Sequence, residues 1–122
     1  MSTDDHSDRE AREPARLREA AATATERIQN RLGDVVETVT LFGSVARGDA
    51  TADSDVDLLV VINETAEFTH VDDQLLEIAY DVSLEYDCRV EIHSLRADEF
   101  TARKERGEPF VSAAVTEGKS DV

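Results

Sequence analysis

Residues 39–63, which read VTLFGSVARGDATADSDVDLLVVIN, decide the fold around which the rest of the chain is arranged. A strand-like apolar run ends at Gly43, a short loop bounded by glycines follows, and a second apolar run begins after Asp57. The second run, LLVVI at residues 58–62, has no polar face, and such a run is typical of a central strand covered on both sides. The sequence therefore predicts a buried strand headed by acidic residues.

The two acids at the head of that strand, Asp55 and Asp57, are predicted to be metal ligands. Side chains alternate between the faces of a strand, so residues two apart project from the same face. Two carboxylates on one face can share or bridge Mg²⁺, a hard cation that takes oxygen ligands and keeps positions open for water and substrate phosphates. Without a cation or hydrogen-bond donors, the two charges would repel each other and lose hydration at a buried strand.

The dipeptide Gly43-Ser44 has the features of a nucleotide-binding loop. Gly43 lets the backbone approach a ligand closely, and Ser44 is expected to begin a short helical turn that Gly48 ends. Free N–H groups at the start of such a turn, together with the Ser44 hydroxyl, favour phosphate. Arg47 would add a charge-assisted contact, so we expect Gly43, Ser44 and Arg47 to bind a nucleotide.

The spacing of these residues resembles the signature of the DNA polymerase β-type nucleotidyltransferase superfamily. Ten residues separate Gly43-Ser44 from Asp55-Val56-Asp57, and the fuller string GSVARGDATADSDVDLLV resembles the minimal nucleotidyltransferase (MNT) branch. The resemblance implies an α/β (α+β) fold, in which a small mixed β-sheet of three or four strands is flanked by helices.

The same resemblance implies a function. MNT proteins are commonly antitoxins paired with a HEPN-family ribonuclease toxin, and some transfer AMP from ATP to a tyrosine of that toxin. The implied substrate is therefore ATP, the implied cofactor is Mg²⁺ with two ions, and the implied partner is a HEPN toxin in a hetero-oligomer. Asp55 and Asp57 would then be catalytic residues as well as metal ligands.

A third strand, predicted over residues 88–95, carries Glu91 and His93 on one face. If it pairs beside the strand of Asp55 and Asp57, Glu91 is the third catalytic and metal-binding carboxylate that these enzymes use, a position typically occupied by Asp in the family. The alternative for Glu91 is a half-exposed strand acid. His93 is a candidate contact to phosphate or to the acceptor hydroxyl, and its alternative is a polar residue on an edge strand.

The residues are compatible with three functions. The first is the protein adenylyltransferase described above, the second is a catalytically silent antitoxin that neutralises its toxin by binding, and the third is a small-molecule nucleotidyltransferase of the aminoglycoside type. A chain of 122 residues is long enough for one sheet covered by a few helices and too short for a second substrate domain. This length favours an acceptor that a partner protein delivers.

The charge balance argues against one class of partner. Lys and Arg number 13 against 28 Asp and Glu, a net charge of −15 that repels a phosphate backbone, so direct nucleic-acid binding is not expected. The acid-rich, lysine-poor composition resembles that of halophilic cytoplasmic proteins, and an ordinary acidic protein is the alternative. The polar, acidic N-terminus does not resemble a secretory signal and no apolar run reaches membrane-spanning length, so we expect a cytoplasmic protein.

The remaining pattern predicts a single domain over residues 9–118 after a disordered acidic segment, residues 1–8. Pro14 is expected in the first turn of the first helix, whose apolar face is formed by Leu17, Ala21, Ala24, Ile28 and Leu32. Further helices are predicted over residues 67–86, 98–104 and 110–116, and the first two strands over residues 35–41 and 55–62.

Four aromatic residues and one cysteine are expected to serve packing. Tyr80 and Tyr86 lie on the second long helix and are expected to pack rather than react. Phe100 and Phe110 are expected to be anchors in the core or towards a partner. Cys88, the only cysteine, is expected to be a small core residue.

Overall fold

The fold is a four-stranded sheet with helices on both faces. In the computed structural model the backbone is described for residues 2–64, 66–117 and 119–120, and the side chains for residues 15–64 and 66–116. The elements within these residues are α1 (Ser2–Leu32), β1 (Val36–Phe42), α2 (Ser44–Arg47), β2 (Val56–Ile62), α3 (Phe68–Tyr86), β3 (Val90–Arg96), α4 (Ala97–Glu105), α5 (Pro109–Glu117) and β4 (Lys119–Ser120).

The sheet has the strand order β3-β2-β1-β4. β1 pairs antiparallel with β2 and with β4, whereas β2 pairs parallel with β3. The predicted mixed sheet of an α/β fold is therefore confirmed. The parallel pair follows from the connection, because α3 carries the chain back along the sheet between β2 and β3.

The sheet is covered on both faces, as the apolar run of β2 predicts. On one face the chief contacts of the sheet are with α1 and α3, and Leu58 and Val60 of β2 belong to that core. On the other face Leu59 packs with Phe42 and with Val111 of α5. Residues 58–62 of β2 are excluded from water on both faces because α4 and α5 complete the second layer, which is the arrangement that an unbroken apolar strand requires.

Two long helices provide most of the first layer. The face of α1 predicted from the sequence is buried along its described length, and so is that of α3, where the buried residues are Val71, Leu75, Ile78, Ala79 and Val82. Thr23 and Tyr86 join the two helices through their hydroxyl groups at 2.7 Å. Arg27 of α1 forms a bidentate ion pair with Glu85 of α3, with N–O distances of 2.5 and 2.9 Å.

The start of α1 differs from the prediction. The backbone is helical from Ser2, whereas the sequence predicted a disordered segment over residues 1–8 and a helix start near Pro14. The segment before Pro14 contains no glycine, so no strong helix-breaking residue precedes Pro14. Pro14 therefore lies inside the helix, where it has no backbone N–H to donate to the carbonyl of residue 10.

The other predicted bounds are shifted by one or two residues, and one packing assignment is wrong. Tyr80 is exposed, because it lies on the outer face of α3, with Leu76 and Leu84 one turn away on either side. Phe100 and Phe110 pack against the core beneath α4 and α5, as expected. No helix in the described part of the chain is both long enough and apolar enough to cross a membrane.

Candidate active site

Strand pairing brings the predicted acids together at one end of the sheet. β2 and β3 run parallel in a register that places Asp57 beside Glu91, and Leu59 beside His93. Alternate residues of a strand share a face, so Asp57, Glu91 and His93 lie on the side covered by α4 and α5. The pairing on which the assignment of Glu91 depended is confirmed, and its catalytic role stays a prediction.

Three side chains at this edge have the composition of a metal site. One ligand atom each from Asp57, Glu91 and His93 lies within 4.8 Å of the other two. Nε2 of His93 is 3.8 Å from Oδ1 of Asp57 and 3.9 Å from Oε2 of Glu91. All three side chains are half-buried, so water and a ligand can reach them. Two carboxylates and an imidazole are ligand types that divalent cations accept.

Gly43 lies against this group and has two reasons to be glycine. Its φ of 80° and ψ of −158° fall in a region that is almost confined to glycine. A Cβ atom at this position would lie 2.7 Å from Oδ2 of Asp57. The close approach arises because Phe42, the last residue of β1, is paired with Asp57 of β2. The loop that was predicted to bind phosphate is therefore adjacent to the carboxylate that was predicted to bind metal.

Ser44 begins the short helix α2, as expected, and Gly48 ends it. The Arg47 amide donates to the Gly43 carbonyl at 3.0 Å, which closes the turn, and Gly48 takes a left-handed φ of 84°. The amides of the first turn have no acceptor inside the helix. The guanidinium of Arg47 lies on the exposed side, with Nε 3.4 Å from Oδ2 of Asp49. Nucleotide binding by Gly43, Ser44 and Arg47 stays a prediction.

Asp55 is not part of the three-residue group found among the described side chains. It lies one residue before β2, whose first residue, Val56, donates its amide to the Arg89 carbonyl at 2.8 Å. The alternation of a strand orients side chains only where the ladder is formed, so the pairing does not determine the direction of Asp55. Its role as a metal ligand and catalytic residue stays a prediction.

The sequence did not indicate how closely His93 would approach the acids. Its ring lies 5.7 Å from that of Phe42 and 5.0 Å from that of Phe110, and the two phenylalanine rings are 5.3 Å apart. These three rings form what we call the aromatic cluster. The available signal was that alternation places Glu91 and His93 on one face of their strand. It indicated closeness to Asp57 only once the register of β2 and β3 was known.

Arg89 is a second residue at the site, predicted on the same strand face as Glu91 and His93 but without a role. Its Nη2 lies 2.7 Å from Oε1 of Glu91, while Oε2 of the same carboxylate faces His93. Arg89 lies two residues before Glu91 within the strand predicted over residues 88–95, and this spacing was the signal for the pair. Since the Arg89 side chain is largely exposed, the ion pair orients Glu91 and contributes little to stability.

Cys88 fits its predicted structural role. Its side chain packs against the core between α3 and β3. Burial raises the pKa of the Cys88 thiol, and the nearby carboxylates of Asp87 and Asp55 raise it further, while Arg16 acts in the opposite direction. A raised pKa keeps the thiol protonated at neutral pH, which fits the role of a packing residue.

The family follows from a match that covers most of the chain. A family model described as a nucleotidyltransferase domain matches residues 22–119, which include the loop after β1, the acids of β2 and the partner strand β3. The chain belongs to the nucleotidyltransferase domain family. This membership confirms the superfamily that the spacing of Gly43-Ser44 and Asp55-Val56-Asp57 resembles.

One curated relative and two solved structures are similar to this nucleotidyltransferase domain. MJ0141 of Methanocaldococcus jannaschii, a proposed protein adenylyltransferase, is 40% identical over 60 residues, which are 49% of this chain and 60% of MJ0141. A toxin–antitoxin structure with AMP-PNP has a TM-score of 0.53 at 23% identity, over 80% of this chain and 72% of that chain. A proposed nucleotidyltransferase of Sulfolobus solfataricus has a TM-score of 0.53 at 21% identity, over 90% and 83%.

These likenesses differ in what they establish. The two solved structures establish the fold, because their identity to this nucleotidyltransferase domain is low. The match to MJ0141 covers less than two thirds of that relative. The chemistry of the nucleotidyltransferase domain has therefore to be argued from its own residues.

Proposed function

We propose that this protein transfers AMP from ATP to a hydroxyl group of a partner protein, and that the partner is a HEPN-family toxin which the transfer neutralises. The single observation that carries the proposal is the juxtaposition of Gly43, Asp57 and Glu91 at one edge of the sheet. It places a loop suited to phosphate within van der Waals distance of a carboxylate suited to a divalent cation.

In the proposed step, the partner's hydroxyl oxygen attacks the α-phosphorus of ATP, and the bond from that phosphorus to the bridging oxygen of the β-phosphate breaks. Pyrophosphate leaves with the electron pair of the broken bond. Glu91 accepts the proton of the hydroxyl, which is general-base chemistry. The backbone amides of Gly43 and Ser44 orient the phosphates, with Arg47 as a further contact, so these residues contribute by positioning and electrostatics.

The residues present fit a divalent cation. The ligand atoms of Asp57, Glu91 and His93 lie within 4.8 Å of one another, and Asp55, two residues before Asp57 in the sequence, is proposed as a further carboxylate. A bound Mg²⁺, as the resemblance implies, would neutralise charge at the α-phosphate and on the departing pyrophosphate. Without a cation, Asp57 and Glu91 place like charges on neighbouring strands, an unfavourable arrangement that the exposed ion pair of Arg89 with Glu91 offsets weakly.

The partner and the acceptor come from the resemblance and the comparisons. The motif resembles that of MNT antitoxins, which act with HEPN toxins, and the solved structure with AMP-PNP is that of a toxin–antitoxin complex. MJ0141 is a proposed protein adenylyltransferase. A tyrosine hydroxyl of the toxin is the acceptor that this line of reasoning favours.

The test is the mass of the partner after incubation with ATP and Mg²⁺. The purified chain is mixed with the product of the adjacent gene, and the intact mass of both chains is measured. We expect the partner to gain one or more AMP groups and Asp57→Asn and Glu91→Gln to reduce the rate by roughly a hundredfold or more. The matched control is Asp53→Asn, which removes an exposed acid of the same loop. Equal loss in Asp53→Asn, or no gain of mass with the unaltered chain, would overturn the proposal.

A second candidate, neutralisation by binding alone, is favoured by a different observation. Leu76, Tyr80 and Leu84 recur every four residues on α3, with side chains 59%, 66% and 66% exposed. Exposed acids, Asp73 and Asp81, lie beside this stripe. An apolar ridge with an acidic border fits a basic, amphipathic helix of the partner.

The two candidates are distinguished by comparing Asp57→Asn with a variant of the exposed stripe on α3. Leu76→Glu with Leu84→Glu should weaken the complex with the partner, and both changes lie on the outer face of α3, where they leave the core intact. If binding alone neutralises, Asp57→Asn keeps the toxin silent and the α3 variant releases it. If transfer neutralises, Asp57→Asn releases the toxin even where the complex still forms.

A further inference from the structure

The position of His93 is not explained by packing alone. Its ring contacts two phenylalanines of the aromatic cluster, yet its Nε2 atom is directed at two carboxylates, Asp57 at 3.8 Å and Glu91 at 3.9 Å. Both distances exceed the usual range of a hydrogen bond between nitrogen and oxygen, about 2.7–3.2 Å. The histidine is thus placed between the acids, within ion-pair distance of both but without a hydrogen bond to either.

The separations match those of atoms that share a metal ion. The bonds from Asp, Glu and His to a divalent ion such as Zn²⁺ are about 2.0–2.2 Å long. Two donor atoms bound to one such ion therefore lie at most about 4.4 Å apart. The two distances from Nε2 fall inside this limit. The aromatic cluster also restricts the imidazole ring to this side of the sheet, which lowers the entropy lost when Nε2 takes a ligand position.

We propose that Nε2 of His93 is a metal ligand, so that Asp57, Glu91 and His93 together bind a first-row transition cation such as Mn²⁺ in preference to Mg²⁺. The inference depends on the proposed function in one respect, which is the location of the metal ion at this edge of the sheet. It goes beyond that function because the resemblance implies carboxylate ligands alone.

The chemical reason is the nitrogen atom. Mg²⁺ is a hard cation that prefers oxygen ligands and gives up its water reluctantly. Imidazole suits the later transition ions best, and the affinity for a mixed nitrogen and oxygen site rises along the series from Mn²⁺, which accepts oxygen and nitrogen ligands, to Cu²⁺. A site that contains His93 therefore discriminates between the two kinds of ion, whereas a site of carboxylates alone would discriminate much less.

The test measures metal binding in the full chain, without nucleotide and without partner. The chain is titrated with Mn²⁺, the free ion is followed by its electron paramagnetic resonance, and a pulsed measurement on the bound ion detects directly coordinated nitrogen. We expect bound Mn²⁺ with a nitrogen coupling, and displacement by Mg²⁺ only when Mg²⁺ is in excess.

Two histidine variants provide the comparison. His93→Gln retains a polar oxygen near the position of Nε2, and it should remove the nitrogen coupling, lower the Mn²⁺ affinity at least about tenfold and affect the Mg²⁺ affinity less. His70→Gln is the matched control, since His70 is an exposed histidine on α3 that bonds with Gln74 at 2.8 Å. It should change none of these quantities, and thermal melts should show both variants folded.

Each outcome decides the proposal. Bound Mn²⁺ without nitrogen coupling, no bound Mn²⁺, or an equal loss in both variants would overturn the ligand role of His93. AMP transfer with Mg²⁺ in a chain without nitrogen coupling would remove this inference and leave the proposed function. A nitrogen-coupled Mn²⁺ site in a chain that transfers nothing would remove the function and leave the inference.

Discussion

At the scale of single residues, Gly43 brings the predicted phosphate-binding loop close to the carboxylate of Asp57. Its backbone takes dihedral angles that other residues avoid, and its α-carbon lies so close to Asp57 that a methyl group would collide with the carboxylate. The short contact lets the loop and the metal ligand act on adjacent parts of one triphosphate. A residue with a Cβ would change both the loop and the carboxylate.

Gly43→Ala should destabilise the protein and weaken nucleotide binding together. The dihedral strain alone costs about 1–3 kcal/mol, and the added methyl must displace Oδ2 of Asp57, which lies 2.7 Å from its position. Urea unfolding gives the first quantity and ATP titration gives the second. Gly48→Ala is the control, because Gly48 also has a positive φ but an added Cβ meets no atom within 4 Å. Equal losses of ATP affinity in the two variants would contradict the account.

At the scale of elements, α1 and α3 form the helical layer on the face of the sheet opposite the candidate active site. Their contact combines a buried apolar seam with the ion pair of Arg27 and Glu85 on the exposed rim. The Arg27 guanidinium lowers the pKa of Glu85 below its ordinary value of 4.5, chiefly by the hydrogen bond between them. The pair therefore links the two helices in a pH-dependent way.

Arg27→Gln should reduce stability slightly at neutral pH and leave it unchanged in acid. Because the pKa of Glu85 is lower in the folded protein, the stabilisation is present above about pH 4.5 and is lost as the pH falls through the lowered value. The free energy of unfolding of both proteins is compared at pH 7 and pH 3. Glu85→Gln should reproduce the result, and a difference that does not shrink as the pH falls from 7 to 3 would show that the pair does not stabilise through its charge.

The predictability of the elements differs along the chain for physical reasons. The run at residues 58–62 predicts a central strand because it has no polar face, and the structure buries both of its sides. The start of α1 was not predicted, since proline is favoured in the first turn of a helix and disfavoured inside one, where the structure places Pro14. The approach of His93 to Asp57 depends on strand register, which is a long-range property that local patterns do not contain.

At the scale of the whole molecule, charge is the dominant feature. The chain carries 28 acidic and 13 basic side chains, so repulsion among acids outweighs the attraction of the surface ion pairs. Salt screens both, and at 1 M the screening length is only about 3 Å. Salt should therefore stabilise the folded protein on balance, because it weakens the repulsion among the acids more than the attraction within the ion pairs.

Raising NaCl from about 0.1 M to about 1 M should increase the melting temperature. Scanning calorimetry at fixed pH measures the change, and sucrose of equal osmolality is the control that separates screening from general exclusion of solute. A melting temperature that stays constant or falls would mean that ion pairs such as Arg27–Glu85 outweigh the net charge of −15.

The central claim is that the site formed by Gly43, Asp57 and Glu91 transfers a nucleotidyl group to a protein. The most direct test incubates the chain and its partner with ATP labelled at the α-phosphorus and, in parallel, with ATP labelled at the γ-phosphorus. The account predicts that the partner acquires the α label and not the γ label, and that Asp57→Asn abolishes the transfer. A partner that acquires the γ label, or one that acquires neither, would contradict the claim.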